Sequence, residues 1–125
     1  MSDDFLVTKL EMATGSGVAI LKVSGPEVRR ADLQGLRDSL MELADQGYTN
    51  LVVDMVDVRF VESPFLGMLM LLQKNLTARG GRVLLCMQNR NLRQSLHVMR
   101  VDRLFGVFRD REEALAELGG ESELD

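Results

Sequence analysis

The chain has 125 residues, 46% hydrophobic and 27% charged, a balance that builds one folded domain and excludes a disordered polypeptide. Its net charge of −4 leaves no basic footprint for nonspecific attraction to nucleic acid or anionic lipid, and its single cysteine excludes a disulfide framework within the chain. No apolar run reaches the length that crosses a bilayer, and Met1-Ser2-Asp3-Asp4 lacks the cationic start of a secretory leader, so the sequence predicts a cytoplasmic protein without membrane insertion.

In chain order, Phe5 to Met12 reads as a strand, Thr14-Gly15-Ser16-Gly17 as a turn and Val18 to Val23 as a second strand, which together predict an N-terminal hairpin. Leu33, Leu36, Leu40 and Leu43 then recur at helical spacing, predicting a first helix from about Glu27 to Gln46 with Gly47 as its left-handed cap. Thr49 to Met55 is almost continuously apolar, the pattern of a strand buried on both faces. Ser63-Pro64 predicts the next helix start, with serine as N-cap and proline at the first helical position, and Gly80-Gly81 ends that helix. Arg82 to Met87 is a further strand, so strand, helix and strand form a parallel crossover unit. Leu92, Leu96 and Met99 mark a third helix, and Leu104 to Phe108 a short edge strand. Asp110 and Glu113 have capping-box spacing before a last helix that the sequence ends at Gly119-Gly120. The pattern predicts one α/β domain over 1–119, with a mixed central sheet, about four helices mostly on one face, and a short acidic tail over 120–125.

The helix after Ser63 carries more apolar residues than one buried face requires. Phe65, Leu69, Leu72 and Leu76 form the stripe that seals it onto a sheet, while Leu66, Met70 and Leu71 fall outside it and predict a partner surface unless another helix covers them. A helix N-terminus also offers free N–H groups and a partial positive charge, so Ser63 is a position where a phosphate is tolerated locally.

Other chemistry-bearing residues lead elsewhere. Cys86 sits in an apolar run and reads as a buried structural thiol. His97 is the sole histidine, and no Gly-x-Ser-x-Gly elbow surrounds Ser63, which argues against hydrolase chemistry. The histidine and cysteine lack the spacing of a metal-ligand cluster, and the glycine pairs lack a phosphate-loop lysine, so no cofactor is expected. Arg90, Arg93, Arg100 and Arg103 form a loose basic cluster around the third helix, read as a solvated face or a dock for an acidic partner.

Phe60-Val61-Glu62-Ser63-Pro64-Phe65-Leu66-Gly67 resembles the Asp-Ser-Ser/Thr-Gly-Leu-Gly signature of STAS domains, and Asp102-Arg103-Leu104-Phe105 resembles the segment before that family's last helix. The resemblance covers nearly the whole chain and implies the fold of bacterial anti-sigma factor antagonists, binding modules without enzymatic activity. It implies that Ser63 is phosphorylated by a partner serine kinase that is also the anti-sigma factor, and that Glu62, Ser63, Pro64, Leu66, Gly67, Met70 and Leu71 contact that partner. Glu62 stands for the family's aspartate, Pro64 for its second Ser/Thr and Phe65 for its glycine. Pro64 and Phe65 favour a second reading, an unmodified STAS subunit of a larger assembly such as a lipid-transport or stress-signalling complex. A homodimer is compatible with either.

Overall fold

A computed structural model describes residues 7–13 and 15–122. Residues 1–6, Thr14 and 123–125 lie outside it, and with them the start of the expected first strand, one turn residue and the end of the expected tail. Strands β1 (Val7–Ala13) and β2 (Val18–Ser24) form the expected antiparallel hairpin. A bulge falls at Glu11, which opposes no residue of β2. Next come β3 (Glu27–Val28), a 3-10 turn (Arg30–Asp32), α1 (Leu33–Asp45), β4 (Asn50–Asp54), β5 (Phe60–Val61) and α2 (Ser63–Ala78). The chain continues through β6 (Arg82–Cys86), α3 (Arg90–Val98), a second 3-10 turn (Val101–Arg103), β7 (Gly106–Phe108) and α4 (Arg111–Ser122).

The main sheet has the order β1-β2-β4-β6-β7, antiparallel at the hairpin and parallel elsewhere, and is therefore mixed as the sequence predicts. Alternation along the strands divides two cores. Leu51 and Val53 of β4 face one side with Leu21, Val83 and Leu85, under α1, α2 and α3. Val52 faces the other side with Ile20, Leu84 and Cys86, under Ala114 of α4. Three helices thus cover one face and one covers the other.

Local chemistry accounts for the helix ends. Gly47 has φ +104°; its N–H donates to the Ala44 carbonyl (3.0 Å) and the next N–H, of Tyr48, to that of Leu43 (3.0 Å). Gly80 and Gly81 repeat this arrangement on Thr77 and Leu76. Gly81 is also the only residue type that fits, because a Cβ there would collide with the Thr49 backbone. At α4, Asp110 accepts the Glu113 N–H (2.9 Å), and the Glu113 carboxylate reaches back to the Arg109 N–H (2.9 Å).

Two element boundaries depart from expectation. The first helix begins at Leu33, because Glu27–Val28 is used as a strand paired in parallel with Phe60–Val61, with Val28 fully buried. The last helix passes Gly119-Gly120 and ends at Ser122. Glycine permits a stop but does not impose one.

One polar group enters the second core. Asp54, 3% exposed, lies on the α4 side at the carboxyl end of β4, and its Oδ2 accepts Nε (3.0 Å) and Nη2 (2.6 Å) of Arg111. Its Oδ1 takes the Val56 N–H (3.2 Å), and Lys22 stands 4.0 Å away. Arg111 also bonds Glu11 at the β1 bulge (3.2 Å), so the first residue of α4 ties together β1 and β4. These bonds, chiefly that to Asp54, raise the Arg111 guanidinium above its ordinary pKa, keeping it charged. Removing the cation strands a buried carboxylate, so Arg111→Met should lower stability by about 2 kcal/mol in urea melts, with Asp54→Asn in the same chain recovering part of the loss. A loss below about 0.5 kcal/mol would mean that Lys22 and solvent suffice.

Candidate functional site

The carboxyl end of β4 hands the chain to a turn that fixes where α2 begins. The Met55 N–H donates to the Cys86 carbonyl (2.8 Å), and the N–H groups of Arg59 and Phe60 share the Pro26 carbonyl (2.7 and 3.1 Å). The β3–β5 pair then holds Glu62, whose N–H donates to the Val28 carbonyl (3.0 Å). Glu62, not Ser63, occupies the N-cap, with extended backbone at φ −79° and ψ 151°. Its carboxylate turns back to accept the Arg30 N–H (3.1 Å) instead of capping its own helix. Ser63 is therefore the first helical residue and Pro64 lies in the first turn, where a missing N–H costs no helical bond. The Ser63 hydroxyl is exposed and has no hydrogen-bond partner among the described residues.

Along α2, Ser63, Gly67, Met70 and Lys74 stand one above another and are all exposed, flanked by Leu71. Met70 is 45% and Leu71 71% exposed, so no helix among the described residues covers them. Leu66 differs. It is 9% exposed and belongs to the core, where α3 closes over it. Phe65 is fully buried with Leu69, Leu72 and Leu76, so its bulk points into the core and leaves the surface around Ser63 unobstructed. This removes one of the two features that favoured an unmodified turn.

Two grooves flank the exposed strip. One, about 290 Å³, runs between the Ser63 turn and α3; its walls include Arg59, Phe60, Ser63, Asn91, Ser95 and Met99, above a floor of Leu66, Leu92 and Leu96. The other, about 400 Å³, lies between α1 and α2 and joins Met41, Met68, Leu71 and Leu72 with Arg37 and Asp38. Sequence reasoning missed Phe60, which is 53% exposed, along with the contributions of α1 and α3. Phe60 was findable in principle: it is an aromatic beside the turn in a segment too short to bury it.

The remaining candidates lie apart from this surface. His97 does not join Ser63's groove; its Nδ1 sits 3.0 Å from the Asp102 carboxylate in a different cleft. Burial, with Asp54 nearby, pushes the Cys86 thiol up to about 12, which suits a structural role and not a nucleophile. Arg90 and Arg93 line that second cleft without Arg100 and Arg103. No helix among the described residues is long and apolar enough to cross a membrane.

A mixed five-stranded sheet with three helices on one face, and a serine opening the helix behind the central strand, defines the STAS class of α/β domains. The STAS domain family matches residues 9–114, and the chain belongs to that family. Its fold is similar to that of an anti-sigma factor antagonist from Mycobacterium paratuberculosis, with TM-score 0.79, 22% identity, and coverage of 93% of this chain and 96% of that one. It is also similar to the anti-sigma factor antagonist SpoIIAA in its unphosphorylated form, with TM-score 0.76, 19% identity, and coverage of 91% and 97%. The phosphorylated form of the Bacillus SpoIIAA gives TM-score 0.68, 18% identity, and coverage of 90% and 99%. Comparison with curated proteins gives no match.

Gly67 has a property that the fold does not explain. A Cβ added there would meet nothing within 4 Å, and glycine inside a helix is less favourable than alanine by about 1 kcal/mol. Gly67→Ala should therefore raise stability by about 0.5–1 kcal/mol in thermal or urea unfolding. No gain would show that the glycine serves the fold after all.

Proposed function

We propose that this protein is an anti-sigma factor antagonist-type binding module that acts in the cytoplasm and docks a serine-kinase anti-sigma partner through the turn and helix from Glu62 to Leu71. The observation that carries this reading is the strip of Ser63, Gly67, Met70 and Leu71 on the open face of α2. Apolar side chains held out by a rigid helix offer contact area, and Gly67 lets a partner's backbone approach closely. Leu66 supports the strip from below.

Phosphorylation of Ser63 is the switch in this reading. The free hydroxyl at the helix start can accept a phosphoryl group without breaking any bond of the fold, and the N-terminal dipole tolerates the added charge. That charge, about −1.5 to −2 at neutral pH, lands at the leading end of the docking strip and repels a partner fitted to a neutral serine. The neighbouring Glu62 carboxylate adds to the repulsion, because the bond it accepts comes from the uncharged Arg30 N–H and leaves its negative charge uncompensated. The module itself performs no chemical step; ATP and transfer belong to the kinase.

The second reading, an unmodified subunit of a larger assembly, rests on Pro64 alone, whose ring stiffens the backbone next to the acceptor. Intact-mass measurement of the protein incubated with its partner kinase and ATP should show a single phosphate that is absent from Ser63→Ala. An unchanged mass in both would sink the switch and leave the contact role standing. The contact role has its own test: Leu71→Glu should weaken partner binding by at least about tenfold while leaving the melting temperature within a degree or two, since an exposed side chain carries little of the core. Undiminished binding would move the interface elsewhere.

A further inference from the structure

We propose that the cleft between α3 and the carboxyl end of β7 is a second interaction surface, one that takes an acidic peptide segment of a partner protein. The cleft holds about 730 Å³ and is lined by Gln88, Arg90, Arg93, His97, Asp102 and Arg109. Three guanidinium groups therefore face one carboxylate, and that carboxylate already lies against His97. This is a local excess of positive charge in a chain whose net charge is −4.

The arginines are placed for outward binding. Arg90 and Arg109 form no ion pair among the described residues. Arg93 is oriented by one bond, from Nη1 to the Met87 carbonyl (3.0 Å), which leaves the rest of its planar fork available. Gln88 donates to the Arg109 carbonyl (3.2 Å), fixing the loop after β7 against the loop after β6. The carboxylates of Asp110 and Glu113 are directed at backbone N–H groups of the α4 cap and do not line the cleft. The position is also one where ligands collect in α/β folds, outside the carboxyl ends of parallel strands.

The chemistry favours a run of carboxylates over a single bound anion. At the α3 N-terminus the Leu92 N–H is already taken by the Asn89 side chain (2.9 Å), so the helix end does not supply a full cradle of backbone donors. Recognition falls to guanidinium forks from separate segments, the start of α3 and the loop after β7, in an open cleft. Spaced forks match successive carboxylates along an extended chain. Each exposed pair contributes little alone, so binding depends on several acting together and weakens with salt. None of the three arginines lines the grooves beside α2, and the proposal stands whether or not Ser63 is modified.

The test is a fluorescence-anisotropy titration of the full chain against a fluorescein-labelled octaglutamate peptide at low ionic strength. Arg90→Glu and Arg109→Glu should each weaken binding at least about fivefold, and the double variant should abolish it. Lys9→Glu, the same charge change on the opposite edge strand, should stay within about twofold. Absence of saturable binding by the parent chain would overturn the proposal. So would an equal loss in Lys9→Glu, which would indicate a diffuse field. Tighter binding of free tripolyphosphate than of the peptide would likewise overturn it, making the cleft a small-anion site.

Discussion

Everything on the working edge of this molecule depends on the burial of β4 on both faces. A strand in the middle of a parallel sheet has its backbone groups consumed by neighbours on either side, and its side chains must be covered above and below. Leu51 and Val53 draw the layer of α1, α2 and α3, and Val52 draws α4. The chain leaves β4 for a turn that the Pro26 and Val28 carbonyls hold beside the sheet, and that places Ser63 at the start of α2.

The same constraint explains the one buried charge among the described residues. The last residue of β4 points into the α4 layer, and Asp54 is held there by Arg111 and the Val56 N–H. A buried ion pair is weak evidence for net stability, because desolvation offsets much of the attraction. Its value here is positional: apolar packing of Ala114, Leu115 and Leu118 would let α4 slide along the sheet, whereas Arg111 fixes its start against Asp54 and the bulge at Glu11. The bulge in turn interrupts the ladder of an edge strand, which discourages pairing with another chain.

Two surfaces of opposite chemistry result. The open face of α2 is apolar and shaped by grooves on both sides, suited to contact with a partner's side chains. The cleft between α3 and β7 is polar and arginine-rich, suited to steering and charge matching. A small domain can gain specificity by combining two such surfaces, since apolar contact supplies residence and charge supplies orientation.

Much of the fold was legible because periodicity and capping are local. The hairpin, the double-faced apolar run of β4, the Phe65–Leu69–Leu72–Leu76 stripe, the Asp110–Glu113 cap and the glycine ends at 47 and 80 each follow from neighbouring residues. The family was legible from the eight residues around Ser63. The start of α1 departs from the helical spacing because Glu27–Val28 pairs with residues 33 positions further along the chain, a long-range pairing with no periodic trace. Serine's preference for the cap role predicts Ser63 there, yet the β3–β5 pairing places Glu62 at the cap instead. The sequence by itself determined which elements form and that a serine opens α2, since hydrophobic spacing and terminal backbone chemistry act within a few residues. Only the tertiary structure decided that Leu66 is covered while Met70 and Leu71 stay open. It also decided that Arg109 completes the cluster begun by Arg90 and Arg93, because exposure and convergence depend on what packs alongside.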